Sequence, residues 1–343
     1  MQKVGRKVFL VGHSTHLDEV TGMLEGAGCS VTRGRFITDA RPYTEDELVS
    51  IAGAHDALMI SSWERMTRRV LQGGGRLVTV AKYGIGVEKI DVNAATEFGI
   101  LVTNTPVLEN YLGVAEGAVA RILSLAKRFK EAEASLRRGE WKTMMVDYVR
   151  GKTVGIIGLG RIGSRVAKLL QPWGTRLLAA DPYIPKEKAE LLNVELVSVP
   201  ILLAESDFVT IHCAATPETE RMIGEPELRA MKKTAYLINT ARGIIVDEIA
   251  LHTALKERKI AGAALDVFEP EPLSLESLLL QPDLQGRLLL TPHISASTPE
   301  ARRAMAFTQA KNCLDALKGV VPEFVVNPEV LPRWRQRLAS PAA

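Results

Sequence analysis

The sequence predicts an α/β protein made of two doubly wound parallel-sheet domains with a cleft between them. Short apolar runs alternate with helix-forming stretches along the chain, the pattern of parallel strands joined by crossover helices. The 343 residues exceed one ordinary domain. A glycine turn, Gly158-Leu159-Gly160-Arg161-Ile162-Gly163, stands near mid-chain between an apolar run and a helix-like stretch. A nucleotide-type fold starting there leaves the upstream residues to build something else, the other half of a cleft.

Taken in order, the apolar runs 8–11, 57–60, 77–80 and 100–102 read as strands, and 17–25, 45–52 and 92–97 as helices. Residues 114–138, with Val119, Ile122, Leu123 and Ala126 at helical spacing, read as one connecting helix that also offers a subunit interface. Strands at 154–157, 176–180, 208–212, 235–239, 261–265 and 288–290 make the six of a full nucleotide domain. A helix over 299–318 crosses back to the first domain, and the residues after Pro332, with Arg333, Arg335 and Arg337, read as a frayed end. The expected domains are 1–106 with 296–343, and 107–295.

Composition excludes several partner classes. The chain is 46% hydrophobic and 24% charged, and 43 basic against 40 acidic side chains leave +3, with the bases scattered among acids rather than gathered for nucleic acid. Cys29, Cys213 and Cys313 lack metal-ligand spacing, so no metal is expected, and their odd number suits a reducing compartment. No stretch approaches the roughly 20 apolar residues that span a bilayer. The expected location is cytoplasmic, with no membrane or nucleic-acid partner.

The glycines Gly158, Gly160 and Gly163 permit a tight turn and a close backbone approach to a pyrophosphate at a helix start. The next apolar run ends in Asp181, 18 residues beyond Gly163, where a carboxylate accepts hydrogen bonds from ribose hydroxyls and repels a 2′-phosphate. Pro182-Tyr183-Ile184 offers no arginine to bind such a phosphate, so NAD is favoured over NADP. Three later strand ends carry chemistry. Asn239-Thr240-Ala241-Arg242-Gly243 supplies an arginine whose planar fork suits a carboxylate. Asp266-Val267-Phe268-Glu269-Pro270-Glu271-Pro272 supplies acids, and Thr291-Pro292-His293 a histidine. Histidine accepts a hydroxyl proton as hydride leaves carbon, and a neighbouring carboxylate stabilises the imidazolium and orients the ring.

Together with Lys82-Tyr83-Gly84-Ile85-Gly86, Val114-Ala115-Glu116 and Gly139-Glu140-Trp141, these stretches resemble the D-isomer-specific 2-hydroxyacid dehydrogenase family, in the branch of D-3-phosphoglycerate dehydrogenases and hydroxypyruvate reductases. The resemblance covers nearly the whole chain. It implies a flavodoxin-like substrate domain beside a Rossmann NAD-binding domain. It also implies NAD-dependent hydride transfer at the 2-position of a small D-2-hydroxy or 2-oxo acid, and a homodimer. In this pattern Arg242 binds the substrate carboxylate, His293 is the acid–base, and Glu271, rather than the competing Glu269, is its partner. Arg161 and Ile162 meet the pyrophosphate, Asp181 the ribose, and Thr240, Ala241 and Asp266 the nicotinamide side. Lys82, Tyr83, Gly84 and Asn110 fall on the substrate side, where the glycines present N–H groups to a carboxylate.

Three departures from the family pattern stand out. The turn Val107-Leu108-Glu109-Asn110 is one residue longer than usual, Ser61-Ser62 stand where phosphoglycerate-specific relatives place an arginine, and Gly117 replaces a frequent histidine. The altered Val107–Asn110 turn permits a dehydrogenase for a phosphonate- or sulfonate-bearing hydroxy compound. An NAD(H)-sensing binding protein is the alternative outside enzymes.

Overall fold

A computed structural model describes residues 5–12, 16–36, 42–284 and 286–339. The chain divides into two compact units, Met1–Asn110 with Thr298–Ala343, and Tyr111–Ser297.

The first unit begins β1 (Lys7–Gly12), α1 (Leu17–Gly26), β2 (Ser30–Phe36), α2 (Glu45–Ala54), β3 (Ala57–Ile60), α3 (Arg68–Gly73), β4 (Thr79–Lys82), α4 (Val92–Glu97) and β5 (Leu101–Thr103). Its parallel sheet is ordered β2-β1-β3-β4-β5. β3, β4 and β5 are buried throughout, as parallel strands covered on both faces must be, and therefore read as apolar runs. Side-chain caps start the helices: Thr44 with Glu47 forms a capping box on α2, and Thr67 and Asp91 cap α3 and α4. β2 escaped the sequence reading because Arg33-Gly34-Arg35 interrupts it. As an edge strand paired only with β1, it buries none of residues 30–35 and needs no apolar run.

The chain continues through α5 (Leu108–Ala126), α6 (Phe129–Arg137), β6 (Thr153–Ile157), α7 (Gly163–Leu170), β7 (Arg176–Ala180), α8 (Lys186–Glu190), β8 (Glu195–Leu196) and α9 (Val199–Glu205). It then forms β9 (Phe208–Ile211), α10 (Glu225–Ala230), β10 (Tyr236–Asn239), α11 (Glu248–Lys256), β11 (Gly262–Leu265) and β12 (Leu288–Leu290). The single helix expected over 114–138 is broken at Arg128, which takes a left-handed φ of 51° and pairs its guanidinium with Glu131. The sheet is ordered β12-β11-β10-β9-β6-β7-β8, all parallel. It has seven strands rather than six, because β8 is two residues long at the edge and too short for any periodicity to reveal. The direction of strand addition reverses between β6 and β9, which places a ligand crevice at their carboxyl ends.

α12 (Pro299–Leu317) and α13 (Leu331–Ala339) complete the first unit. Gln309 of α12 is buried and donates to the carbonyls of Ile60 and Ala81, anchoring the ends of β3 and β4. α13 corrects the frayed end. Its Trp334 is 0% exposed in the core that also holds Ala316 and Leu317, and Arg337 donates to the carbonyls of Gly74, Gly75, Leu77 and Phe98. The arginines that suggested a solvated tail form the polar side of a docked helix. Among the described residues, no helix is long and apolar enough to cross a membrane, and no group of three or more His, Cys, Asp or Glu is placed to hold a metal.

Candidate active site

The glycine turn follows β6. Gly158 has φ 91°, and a Cβ there would lie 2.6 Å from the Cys213 amide nitrogen at the end of β9. A Cβ on Gly163 would meet the Gly158 carbonyl oxygen at 2.0 Å, whereas one on Gly160 would find nothing within 4 Å. Two glycines thus close the turn and seat α7, and the middle one leaves its backbone open to an approaching group. At the start of α7 the N–H groups of Ser164 and Arg165 donate to the carbonyls of Gly160 and Ile162, and the positive end of the helix dipole at Gly163 is a setting for a pyrophosphate.

Asp181, just past β7, accepts from the N–H of Leu159 at 2.8 Å and from that of Tyr183 at 2.9 Å. It braces the glycine turn, and each of its oxygens keeps a second lone pair for a further donor. Arg161 donates to the Tyr111 hydroxyl at 2.6 Å. Thr240 Oγ1 is buried without a partner among the described residues, an orphan beside the strand-end turn that asks for one. These features fit a dinucleotide. Burial pushes His212 down to about 3 and the Cys213 thiol up to about 11, which leaves both neutral in the wall of the crevice.

The turn after β10 is shaped by Asn239, whose Oδ1 accepts from the Ala241 N–H at 3.0 Å while its Nδ2 donates to the Arg242 carbonyl at 2.8 Å. Arg242 emerges half-buried in extended conformation and donates to the Ala241 carbonyl at 2.7 Å. Gly243 is required next, since a Cβ there would fall 2.0 Å from the backbone of Phe268. The loop after β11 passes at that point and delivers Glu271. Its Oε1 accepts from the Phe268 N–H at 3.1 Å and its Oε2 pairs with His293 Nδ1 at 2.9 Å. Burial alone raises the Glu271 pKa, but the His293 bond, the Phe268 N–H and the nearby Arg242 charge outweigh it and hold the carboxyl below its ordinary value. With Nδ1 engaged, His293 has Nε2 left for proton transfer.

His293 occupies a left-handed backbone conformation, φ 51°. Asp266 holds it there. The Asp266 carbonyl accepts from the His293 N–H at 2.8 Å, and its carboxylate accepts from the N–H groups of Ile294 at 3.0 Å and Ser295 at 2.9 Å. The same carboxylate, 1% exposed, pairs with Arg121 Nη2 at 2.6 Å and takes the Thr291 hydroxyl.

Residues 119–295, just over half of the chain, match the NAD-binding domain of the D-isomer-specific 2-hydroxyacid dehydrogenases. The chain belongs to that family. It is 42% identical over 293 residues to D-3-phosphoglycerate dehydrogenase of Methanocaldococcus jannaschii, covering 84% of this chain and 55% of that one. It is 42% identical over 286 residues to glyoxylate reductase of Thermococcus litoralis, covering 80% and 85%. Aquifex aeolicus D-lactate dehydrogenase, solved with NAD and lactic acid, superimposes with TM-score 0.81 at 27% identity, covering 93% of this chain and 98% of that one. The chain spans about half the length of the phosphoglycerate dehydrogenases it matches. The chain therefore carries the family's NAD-binding domain, and NAD is the cofactor that this domain binds.

The remaining sequence-identified residues lie in the first unit. Lys82 is buried at the end of β4 and donates to Ser62 Oγ at 2.9 Å. Tyr83 donates weakly to the Arg302 carbonyl at 3.4 Å, and burial, only partly countered by the Arg302 charge, pushes its pKa up to about 12. Gly84 has φ 95°, but its N–H, which the sequence reading offers to a carboxylate, donates instead to Thr105 Oγ1 at 2.7 Å. Asn110 is buried, with Nδ2 3.4 Å from Met305 Sδ. Sequence reasoning missed Arg121. The available signal was a charge on the stripe Ala118, Ile122 and Leu125, where only apolar side chains are expected.

Proposed function

We propose that the protein is an NAD-dependent oxidoreductase acting at the 2-position of a small D-2-hydroxy acid or 2-oxo acid of the phosphoglycerate, hydroxypyruvate or glyoxylate kind. The observation that carries this is the His293–Glu271 pair at 2.9 Å with the Arg242 charge beside it. NAD, when bound, would supply the hydride acceptor, and NADH the donor. In the oxidative direction His293 Nε2 accepts the hydroxyl proton, so the alcohol becomes a carbonyl as hydride leaves its carbon; in reduction the same nitrogen returns the proton. Glu271 fixes the ring through Nδ1 and stabilises the imidazolium. Arg242 holds the substrate carboxylate and so orients the reacting carbon. Gly158, Gly160, Arg161, Ile162 and Gly163 receive the pyrophosphate, and Asp181 selects the unphosphorylated ribose. Thr240 and Ala241 face the nicotinamide end. Lys82, Tyr83 and Asn110 are assigned to the substrate, and Gly84, its N–H taken by Thr105, to shaping that loop.

The active species is a homodimer. Phe129, Leu136, Trp141, Met145 and Tyr148 are all exposed within one short stretch, Trp141 by 91%, and large apolar side chains left in water together suit a subunit interface. Sedimentation of the purified protein gives two subunits per particle if this holds, and one if it does not.

The deciding experiment is a panel of 2-hydroxy acids with NAD and 2-oxo acids with NADH, followed at the NADH absorbance band. Turnover of one D-isomer and not its L-partner is expected. Tight NADH binding with no turnover across the panel refutes the enzyme reading.

A further inference from the structure

Asp266 and Arg121 form an ion pair whose side chains are 1% and 7% exposed. Burial works against the guanidinium's charge and Asp266 works for it, so each needs the other. Among the described residues, the other side-chain hydrogen bonds of the pair grip the strand-end turn or helix α5. Arg121 Nη2 also donates to Thr291 Oγ1, two residues before His293, and Nη1 donates to the Gly117 carbonyl at 2.8 Å. Asp266 takes the three consecutive N–H groups of His293, Ile294 and Ser295. The imidazole thus leaves a turn fastened on both sides by one carboxylate, and that carboxylate is fastened to α5 by one guanidinium.

Gly117 makes the arrangement possible. A Cβ at that position would stand 3.0 Å from Arg121 Nη1 and 3.0 Å from both Cβ and Oγ of Ser295. Any larger side chain would take the space that the guanidinium and the end of the turn now share. This gives a physical reason for a glycine inside a 19-residue helix, where it is otherwise unfavourable.

We propose that Arg121 is a positioning residue for His293: acting through Asp266, it fixes the turn that aims the imidazole, in the space that Gly117 leaves. The proposal rests on the oxidoreductase reading for its kinetic half only. Its structural half is read directly from the histidine ring.

The test uses Arg121→Met, Arg121→Lys and Gly117→Ala in the full chain, with turnover, NADH titration, melting temperature and the ring ¹⁵N resonances of labelled His293. In Arg121→Met, kcat falls by about 100-fold, the cost of a misplacement of order 1 Å, while KM and NADH affinity change little. Arg121→Lys recovers part of the loss, because it restores the charge without the fork. Gly117→Ala is decisive where Arg121→Met folds poorly. Its gain in helix propensity offsets part of the crowding against Arg121 and Ser295, so the chain stays folded, yet kcat per folded molecule falls and the His293 resonances move. If kcat in Gly117→Ala and Arg121→Lys matches wild type, or falls only as the folded fraction falls, Arg121 is merely structural and the proposal is overturned. Unmoved His293 resonances in the folded variants overturn it as well. Should the wild type turn over no acid in the panel, the proposed reaction fails, and the ring resonances alone still decide whether Arg121 positions His293.

Discussion

Replacing Glu271 by glutamine keeps its shape and one acceptor oxygen but removes the charge that faces His293 at 2.9 Å. A hydrogen bond to a charged group contributes about 1.5–3 kcal/mol, and one between neutral groups about 0.5–1.5. The side chains of His293 and Glu271 are 47% and 25% exposed, so solvent screens the pair and the lower part of the difference applies. We take about 1–2 kcal/mol of lost imidazolium stabilisation, a fall in kcat of about 5- to 30-fold. NADH binding should be unaffected, because the Phe268 N–H still finds an acceptor and the loop keeps its path. Steady-state kinetics beside an NADH fluorescence titration separate the two effects. An unchanged kcat would mean that Glu271 neither orients nor stabilises the ring, and the assignment of the acid–base pair would fall with it.

The same carboxyl carries a pH signature. Its pKa is held below the ordinary value, so it contributes stability at pH above the unfolded-state value and loses that contribution as pH falls through the folded one. Glu271→Gln should therefore show a shallower loss of stability on acidification, measured by denaturant melts at stepped pH. Arg242→Ala should raise the substrate KM and lower kcat together; an unchanged KM in initial-rate kinetics places the carboxylate elsewhere. Asp181→Ala removes the acceptor for Leu159 and Tyr183 and the ribose partner, so NADH affinity falls about 10-fold while NADPH affinity changes less, and an unaltered ratio in parallel titrations makes Asp181 only a turn brace. Trp334→Ala, at a side chain with no exposure, should cost about 3–5 kcal/mol by thermal or denaturant unfolding, and a loss below about 1 would return α13 to the status of a loose tail.

Most strands were legible because a parallel strand covered on both faces must be apolar along its length. β3 and β7 were read with the boundaries they have, at 57–60 and 176–180, and the edge strand β12, at 288–290, was legible because all three of its residues are leucine. The two missed strands, β2 and β8, lie at sheet edges, where burial no longer dictates residue type. The tail was misread for the opposite reason. One buried tryptophan and an arginine that donates to four carbonyls distant in sequence are invisible to any local pattern.

The site divides in the same way. What the sequence by itself determined is which residue types stand at strand ends, Gly158, Asp181, Arg242, Glu271 and His293, because the strand–turn–helix pattern that places them is local. Only the tertiary structure decided how they are held. Arg121 meets Asp266 from 145 positions away, Asp181 is bonded to the glycine turn it follows, and Gly117 is a vacancy that another side chain fills. Such contacts depend on distances between elements that packing sets, and hydrophobic periodicity, which reports only the face each element buries, does not carry them.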